Sequence, residues 1–517
     1  MTAGGRESRR RRSIDRFWWR TFLLITVLGA LWVLATPVFA SPDEPSQVIR
    51  SWSAAHGELF GHPADRVYRR VTAPAVYKNG AGVECIAFDS LNTANCLSLE
   101  TGSRTTQVLT YHARFFPAYY LVVGIPTLFS TPGAGQIHLM RFVSVLLASA
   151  LLASAFATAR SARERPLAVA GLLVALTPSV LFLAASVNPS GLEIAAAIGV
   201  WASGALLAMR SAHGIIDARL VDRLGIAAIA LAVTRPIGPF WLALAGLILF
   251  LVGGLASVRS LWRSRRCRWW SLAIAIATAI HLSWNFWAQA YDARHYLGTP
   301  PPGDLSTSAI LRESVGKSYR LLHDMIGVFG WNDIPAPALT LVLWLLVLGA
   351  VVGLALLFAS RRWTLAIGVA IGCTALLPVL LEAIQVRDIG FQWQGRYTLP
   401  IAVAVPVLAG FGISDRAVLQ FSRRRLSFLF LAGLTVAQVA AFWQPLRSYS
   451  VGANGPVWFF PQSVWEPPVP GALLLAGYAV ALVAFIANVV LPGRRAFANI
   501  SDTEEIAVRS GRTSGPG

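Results

Sequence analysis

An apolar run over residues 17–40 is long enough to cross a lipid bilayer as a single helix. The chain continues as Ser41-Pro42-Asp43-Glu44-Pro45, which puts two adjacent carboxylates at the membrane surface. Ionisable groups in such a position are costly to desolvate and usually serve a function. Acidic residues also favour helix N-termini, so Asp43 and Glu44 either cap the next helix or take part in catalysis.

Composition extends this conclusion to the whole chain. Hydrophobic residues make up 55% of the 517 residues and charged residues only 13%, about half the charged fraction of a typical soluble domain. Several further apolar stretches are about 18 residues long or longer. Helices satisfy their own backbone hydrogen bonds inside lipid, so we predict an all-α polytopic integral membrane protein.

The net charge of +19 comes largely from arginines that lie between the apolar runs. Seven short stretches hold 28 of the 44 Lys and Arg residues. This distribution is typical of cytoplasmic loops in membrane proteins and argues against nucleic-acid binding. It predicts a multi-pass protein of the plasma membrane with both termini in the cytoplasm.

Placing every dense arginine cluster on one side of the membrane gives twelve spanning helices. Their predicted bounds are about 18–40, 137–159, 166–186, 190–209, 221–235, 237–255, 269–289, 338–359, 363–384, 397–413, 426–445 and 470–491. The transmembrane domain is therefore 18–491, with outer loops at 41–135, 290–337 and 446–469. The polar ends, 1–17 and 492–517, are predicted to be disordered and cytoplasmic.

The first outer loop contains two further features. Residues 115–129 are apolar but short and contain Pro117 and Pro126, which favours a re-entrant or interfacial helix on the outer leaflet. Cys85 and Cys96 lie eleven residues apart, and an oxidising exterior favours a disulfide between them over two free thiols. The sequence contains no Cys/His cluster with metal-ligand spacing, no Walker-type phosphate loop and no dinucleotide fingerprint.

Polar side chains collect in the turns and loops that this topology puts on the outer face. They are Asp43, Glu44, His112, Arg114, Asn188, Arg235, Asn332, Asp333, Asp388 and Arg396. Each residue also permits a purely structural role. In that alternative Asn188 would cap a helix and Arg235 would snorkel to the interface. Asp333 would cap the helix that follows it, and Arg396 would pair with Asp388. Convergence from five loops on one membrane face favours a shared pocket.

Four segments carry a resemblance. Pro42-Asp43-Glu44-Pro45, residues 185–191, residues 327–333 and Gln394-Gly395-Arg396-Tyr397 resemble motifs of a membrane family catalogued as domain of unknown function 2142 (DUF2142). That family is common in actinobacteria, and the resemblance covers about residues 20–490. The DUF2142 family in turn resembles the C-type (GT-C fold) glycosyltransferases, which are integral membrane enzymes that use polyprenyl-phosphate sugars. Those enzymes carry an essential acidic residue just after the first helix, followed by short interfacial helices.

This resemblance implies a membrane glycosyltransferase that moves a sugar from a polyprenyl-phosphate donor to a glycan or glycolipid acceptor of the cell envelope. Asp43 matches the essential acidic position and Glu44 is its neighbour, so both are candidates for the catalytic base. Arg396, and next Arg235, would hold the donor phosphate through planar guanidinium groups. The idea of a shared site fails if Asp43 lies more than about 15 Å from both arginines.

The resemblance leaves the cofactor and the activity open. A divalent metal is compatible with it, but the sequence contains no decisive ligand set, and the chain lacks a large soluble C-terminal domain. Two other classes of function are compatible with the same sequence. One is a lipid-linked sugar transporter or flippase, which would carry charged groups at mid-membrane. The other is a non-catalytic membrane protein of envelope assembly.

Overall fold

The computed structural model describes residues 3–162, 165–291, 305–413 and 424–491. The helices are α1 Ala3–Ala35, α2 Glu44–Ala55, α3 Ala118–Gly124, α4 Ala134–Ala159, α5 Arg165–Ala175, α6 Pro178–Ala184, α7 Pro189–Ser211, α8 Ala218–Thr234, α9 Gly238–Arg263, α10 Arg265–Trp287, α11 Thr307–Gly316, α12 Ser318–Gly327, α13 Ala338–Phe358, α14 Arg361–Ile389, α15 Gly395–Ala402, α16 Ala404–Gly412, α17 Arg424–Val451 and α18 Gly471–Val490. The predicted all-α polytopic class is confirmed. The predicted cytoplasmic tail at 492–517 lies outside the described residues.

A helix or helix pair occupies each of the twelve predicted spans. Within the described residues, nine helical segments are long and apolar enough to cross a membrane. Helices α5 and α6 meet at a bend of 66° and make a tenth segment if they count as one broken span. The two remaining helices fall short for different reasons: α8 has only 17 residues, and His281 and Asn285 lower the hydropathy of α10.

The N-terminal segment differs from its prediction. Helix α1 begins at Ala3, so residues 3–17, which the sequence predicted to be disordered, are helical in the structure. The apolar part of α1 provides the helix nucleus, and extending an existing helix costs far less than starting one. Arginine is also a good helix former, so the basic stretch continues the helix readily.

The segment between α1 and α4 contains a small sheet that the sequence did not predict. Strands β1 His62–Pro63, β2 Arg69–Pro74 and β3 Thr105–Thr110 pair antiparallel in the order β1-β2-β3. The register of β2 and β3 places Arg69 opposite Thr110 and Pro74 opposite Thr105. A two-stranded hairpin, β4 Val328–Phe329 and β5 Ile334–Pro335, lies before α13.

Two predictions about this segment agree with the structure. Cys85 and Cys96 form a disulfide with their Cα atoms 6.4 Å apart. Helix α3 and the short helical turn after it, Ile125–Leu128, are together too short to span a membrane, as expected for an interfacial element. Gly124 permits the close approach of α3 to α2, because a side chain there would collide with the carbonyl of Ser51.

An aromatic cluster fixes the end of α1 that precedes Asp43. The ring of Trp32 is fully buried and contacts four other aromatic rings at centroid distances of 4.9 to 6.1 Å. These rings belong to Phe182, Phe329, Phe442 and Tyr478. They come from α6, β4, α17 and α18, so the cluster ties the end of α1 to four distant parts of the chain. Each such ring pair adds about 0.5–1.5 kcal/mol beyond simple burial.

The orientation in the membrane remains a prediction, and exposed positions make it testable. We expect cysteines introduced at Glu100 and Ser308 to react with a membrane-impermeant maleimide in intact cells, because the arginine distribution puts both positions outside. A cysteine at His213, also exposed, should stay unlabelled until the cells are opened. The variants require a background in which the free Cys267 and Cys373 are replaced by serine. Labelling of His213→Cys from outside would contradict the orientation.

Candidate active site between the ends of the helices

Asp43 lies in a tight turn between α1 and α2. Its backbone is in the left-handed region, with φ of 62°, a conformation that Asp and Asn adopt more readily than most residues. Asp43 occupies the N-cap position of α2, but its side chain makes no capping hydrogen bond. The backbone carbonyl of Asp43 accepts from the amide of Gln47 at 3.1 Å. The carboxylate is therefore free to face another part of the molecule.

The Asp43 carboxylate faces a cleft of about 390 Å³ that brings distant segments together. Its lining includes Asp43, Ser46, Gln47, His112, Asn188, Arg235, Arg396 and Tyr397. These residues come from α2, from the segment after β3, and from the starts or ends of α7, α8 and α15. The cleft therefore lies at the side of the bundle predicted to be extracytoplasmic.

Arg396 is the cation nearest to Asp43. Its Nη2 atom donates to Oδ2 of Asp43 at 2.7 Å and to the hydroxyl of Tyr397 at 3.1 Å. Only 5% of the Arg396 surface is exposed, and its Nε and Nη1 atoms are buried without a hydrogen-bond partner among the described residues. A buried guanidinium with unpaired N–H groups is costly, which points to an anionic ligand that would complete the site.

Arg235 supplies a second cation to the same cleft. Its Nη1 atom donates to Oε2 of Glu193 at 3.0 Å, and its guanidinium carbon lies 4.8 Å from the ring centroid of Tyr397. The guanidinium carbon of Arg396 lies 5.0 Å from the same ring. Both arginines therefore line one cleft with Asp43, and the 2.7 Å contact between Arg396 and Asp43 meets the distance criterion for a shared site.

The charges around Asp43 decide its ionisation. The side chain keeps 42% of its accessible surface, because the cleft opens onto the carboxylate even though protein surrounds it. Burial has the largest single effect and raises the pKa of the Asp43 carboxyl, but Arg396, His112 and Arg235 together outweigh it. The pKa of Asp43 therefore lies below its ordinary value, and the group is a carboxylate at neutral pH.

His112 also lines the cleft, but it differs from the two arginines in being uncharged at physiological pH. Its Nδ1 atom is 2.8 Å from the hydroxyl of Ser46, on the first turn of α2. Burial lowers the pKa of the imidazole to about 4, and Arg396, Arg235 and Arg50 add to this effect against the opposing charge of Asp43. His112 is therefore a neutral imidazole at physiological pH.

Glu44, although it neighbours Asp43, has no access to the cleft. Its side chain is fully buried, and its two oxygens bond Arg141 at 2.8 Å from Nε and 2.5 Å from Nη2. Oε1 also accepts from the backbone amide of Val187 at 2.9 Å. These contacts give Glu44 a structural role, because no oxygen is left to act on a substrate.

Arg141 connects Glu44 to the end of α1, and we call the buried pair of Glu44 and Arg141 the latch. Besides Glu44, its Nη1 and Nη2 atoms donate to the carbonyls of Val33, Thr36 and Pro37 at 3.3, 2.7 and 2.8 Å. Sequence analysis did not select Arg141. The signal was present nonetheless, since a lone arginine inside an apolar helix must find a partner. The sequence also did not single out three residues that line the cleft, namely Ser46, Gln47 and Tyr397.

Asn188 combines the structural role and the cleft position that the sequence left open. Its Oδ1 atom caps α7 by accepting from the amide of Ser190 at 3.0 Å. Its Nδ2 atom donates to the carbonyl of Pro42 at 2.9 Å, so it also supports the turn that carries Asp43.

The other predicted pocket residues lie outside the lining of the cleft. The guanidinium of Arg114 donates to the carbonyls of Val67, Ala288 and Arg66 at 2.9 to 3.0 Å, so it joins the outer segment to the end of α10. Asn332 has a φ of 65° in the turn between β4 and β5. Asp333 accepts from the amide of Trp331 at 2.8 Å in that turn and does not cap α13, whose N-cap residue is Pro337. Asp388 is exposed on the last turn of α14, and Arg396 pairs with Asp43 in its place.

The described residues contain no group of three His, Cys, Asp or Glu side chains that could hold a metal ion. The polar groups of the cleft are instead suited to organic ligands: two arginines for an anion, one carboxylate for a proton, and neutral groups for hydroxyls.

The fold and the cleft define a polytopic helical membrane protein with a charged pocket at one end of its bundle. The family model described as "Predicted membrane protein (DUF2142)" matches residues 26–405, nearly three quarters of the 517 residues. The chain therefore belongs to the DUF2142 family, as its motifs predicted. No curated protein matches the sequence.

Proposed function

We propose that this protein is a membrane glycosyltransferase that moves a sugar from a polyprenyl-phosphate donor to a cell-envelope acceptor on the extracytoplasmic face. The observation that carries this proposal is the pairing of Asp43 with Arg396, whose Nε and Nη1 atoms are buried and unpaired. A carboxylate beside a cation that still needs an anion is what transfer from a phosphate donor requires. The resemblance to GT-C enzymes supports the same reaction.

In this mechanism the donor phosphate binds to the unpaired N–H groups of Arg396 and to Arg235. The bond between the anomeric carbon and the phosphate oxygen breaks, and its electron pair leaves with the phosphate. The acceptor hydroxyl oxygen forms the new bond to the anomeric carbon, while Asp43 takes the hydroxyl proton. One carboxylate is enough for this inverting displacement, since no covalent enzyme intermediate forms.

The resting ion pair also explains how Asp43 becomes a stronger base at the right moment. Without a donor, Arg396 is bound to the carboxylate and lowers its basicity. A phosphate at Arg396 shares the guanidinium charge and adds a negative charge nearby, and both effects raise the pKa of Asp43. Proton transfer is then favoured only when the donor is in place.

The direct test is to incubate membranes containing the protein with a panel of radiolabelled polyprenyl-phosphate sugars. We expect label to move from at least one donor to an envelope acceptor. Membranes carrying an Asp43→Asn variant serve as the blank. If no donor supports transfer while labelled donor crosses proteoliposomes containing the protein, the transporter alternative replaces this proposal. If neither occurs, the assembly-protein alternative replaces it.

A lysine at position 396 should impair turnover although the positive charge is kept. Lysine cannot present several N–H groups in one plane to phosphate oxygens, so charge-assisted hydrogen bonds to the donor are lost. We expect kcat/KM for the donor to fall by about 10- to 100-fold. Arg361→Lys is the matched control. Arg361 is exposed at the start of α14, far along the chain from the cleft residues, so this substitution should leave activity unchanged. Equal activity of the two variants would remove Arg396 from the donor site.

A further inference from the structure

The cleft has two chemically different walls. The arginines at positions 235 and 396 make one wall cationic. The other wall consists of Ser46, Gln47 and His112, which are all neutral at physiological pH. We call the second group the neutral wall. Asp43 belongs to both, since it is bonded to Arg396 and lies three and four residues before Ser46 and Gln47.

The neutral wall adjoins the carboxylate because Asp43 immediately precedes α2. Ser46 and Gln47 lie on the first turn of that helix, and all three residues line the cleft. The hydroxyl of Ser46 donates to the carbonyl of Asp43 at 2.8 Å, which fixes the orientation of the serine. His112 reaches this turn from the segment after β3, and both it and Gln47 are more than nine-tenths buried.

The hydrogen bonds of Ser46 determine the tautomer of His112. A serine hydroxyl has a single proton, and here that proton goes to the carbonyl of Asp43. The short contact between Nδ1 and the serine oxygen then requires Nδ1 to be the protonated ring atom. The Nε2 atom of a neutral imidazole in this tautomer carries a lone pair, and it makes no hydrogen bond among the described residues.

Gln47 presents a second unused acceptor. Its Oε1 atom is buried and has no hydrogen-bond partner among the described residues, although the residue lines the cleft. An unpaired buried acceptor of this kind is unfavourable unless a ligand or water donates to it. A phosphate dianion has no proton to donate and is therefore unsuited to the neutral wall. A hydroxyl group is suited to it.

We propose that the neutral wall is the acceptor subsite, where Nε2 of His112 and Oε1 of Gln47 accept hydrogen bonds from neighbouring hydroxyls of a neutral glycan. This assignment rests on the proposed transferase function and adds the location and chemistry of the second substrate. His112 orients the reacting hydroxyl towards Asp43, which remains the group that takes the proton. The cationic wall holds the phosphate, so the two substrates meet at the carboxylate.

The test separates the two substrates by measuring transfer to the acceptor and hydrolysis of the donor by water. For His112→Phe we expect KM for the acceptor to rise about tenfold, while donor hydrolysis by water falls much less. His112→Gln should recover part of the loss, because its amide oxygen can accept the same hydrogen bond. His56→Phe is the control, since His56 is exposed, stacks on Trp52 and lies outside the cleft lining. An equal loss of donor hydrolysis in His112→Phe would overturn the assignment.

The pH dependence tests whether His112 is neutral in the working protein. The pKa of His112 is held near 4 by burial, with Arg396, Arg235 and Arg50 adding to the effect and Asp43 opposing it. Neutral imidazole therefore persists as the pH falls through 6.5, the ordinary value. The ratio of wild-type to His112→Gln activity should be constant from about pH 5 to 8. A step in that ratio with a midpoint near 6.5 would contradict the neutral tautomer.

A binding measurement distinguishes failure of this assignment from failure of the transferase proposal. Purified protein is applied to an array of neutral oligosaccharides, and its binding to polyprenyl phosphate is measured separately. We expect His112→Phe to weaken only oligosaccharide binding and Arg396→Lys to weaken only polyprenyl-phosphate binding. This pattern would support the neutral wall even if no donor sugar were transferred. Oligosaccharide binding that His112→Phe leaves unchanged would overturn it even if transfer were established.

Discussion

Asp43→Asn is expected to lower the rate of sugar transfer by about 10² to 10⁴, the usual contribution of a general base. The substitution keeps the size of the side chain and a hydrogen-bond acceptor for Arg396, but the amide cannot take a proton from the acceptor hydroxyl. Asparagine also tolerates the left-handed backbone at this position, where φ is 62°. The loss should therefore appear in kcat measured with a radiolabelled donor, with expression and thermal stability unchanged.

The matched control for this variant is Asp89→Asn. Asp89 is an exposed aspartate in the same segment between α1 and α4. It accepts from the amide of Leu91 in a turn that asparagine can also maintain. It lies outside the cleft lining and should have no effect on transfer. Full transferase activity of Asp43→Asn with an identified donor would show that Asp43 is not the base.

Much of the helical architecture could be predicted because it depends on local properties of the sequence. An apolar stretch of spanning length must become a helix in lipid, so the predicted ends of α4 and α18 differ from the observed ones by three residues or fewer. The sheet of β1, β2 and β3 was missed for the opposite reason. The register of β2 and β3 joins residues 31 to 41 positions apart, and the disulfide-linked segment lies between them. Such pairing leaves no short-range periodicity in the sequence.

The site could be predicted only as far as its membrane face. The arginine distribution put Asp43, Arg235 and Arg396 on one side, and the structure brings these three residues to one cleft. The sequence could not determine how each helix is rotated or which neighbour it contacts. For that reason the structural alternative for Arg396 paired it with Asp388, whereas it pairs with Asp43. The same limit explains why Glu44 was grouped with Asp43, although adjacent residues at the start of α2 project in different directions.

Loss of Arg141 is expected to destabilise the protein by about 3–5 kcal/mol, which is the cost of leaving a buried charge without its partner. Arg141→Met would strand the fully buried carboxylate of Glu44 and remove the donors from the carbonyls that end α1. Thermal unfolding in detergent measures the effect. Arg219→Met is the control, because Arg219 pairs with Asp15 at an exposed site where such pairs contribute at most about 1 kcal/mol.

A double variant separates the charge of the latch from its geometry. Glu44→Leu combined with Arg141→Met leaves no buried charge, so it should be more stable than Arg141→Met alone. Recovery should be partial, because Val187 and the carbonyls of Thr36 and Pro37 still lack their partners. Transfer should remain low even where the double variant is folded, since the latch holds the strained turn that aims Asp43 at Arg396. If Arg141→Met is no less stable than Arg219→Met, or if the stable double variant transfers sugar at the wild-type rate, the latch does not position Asp43.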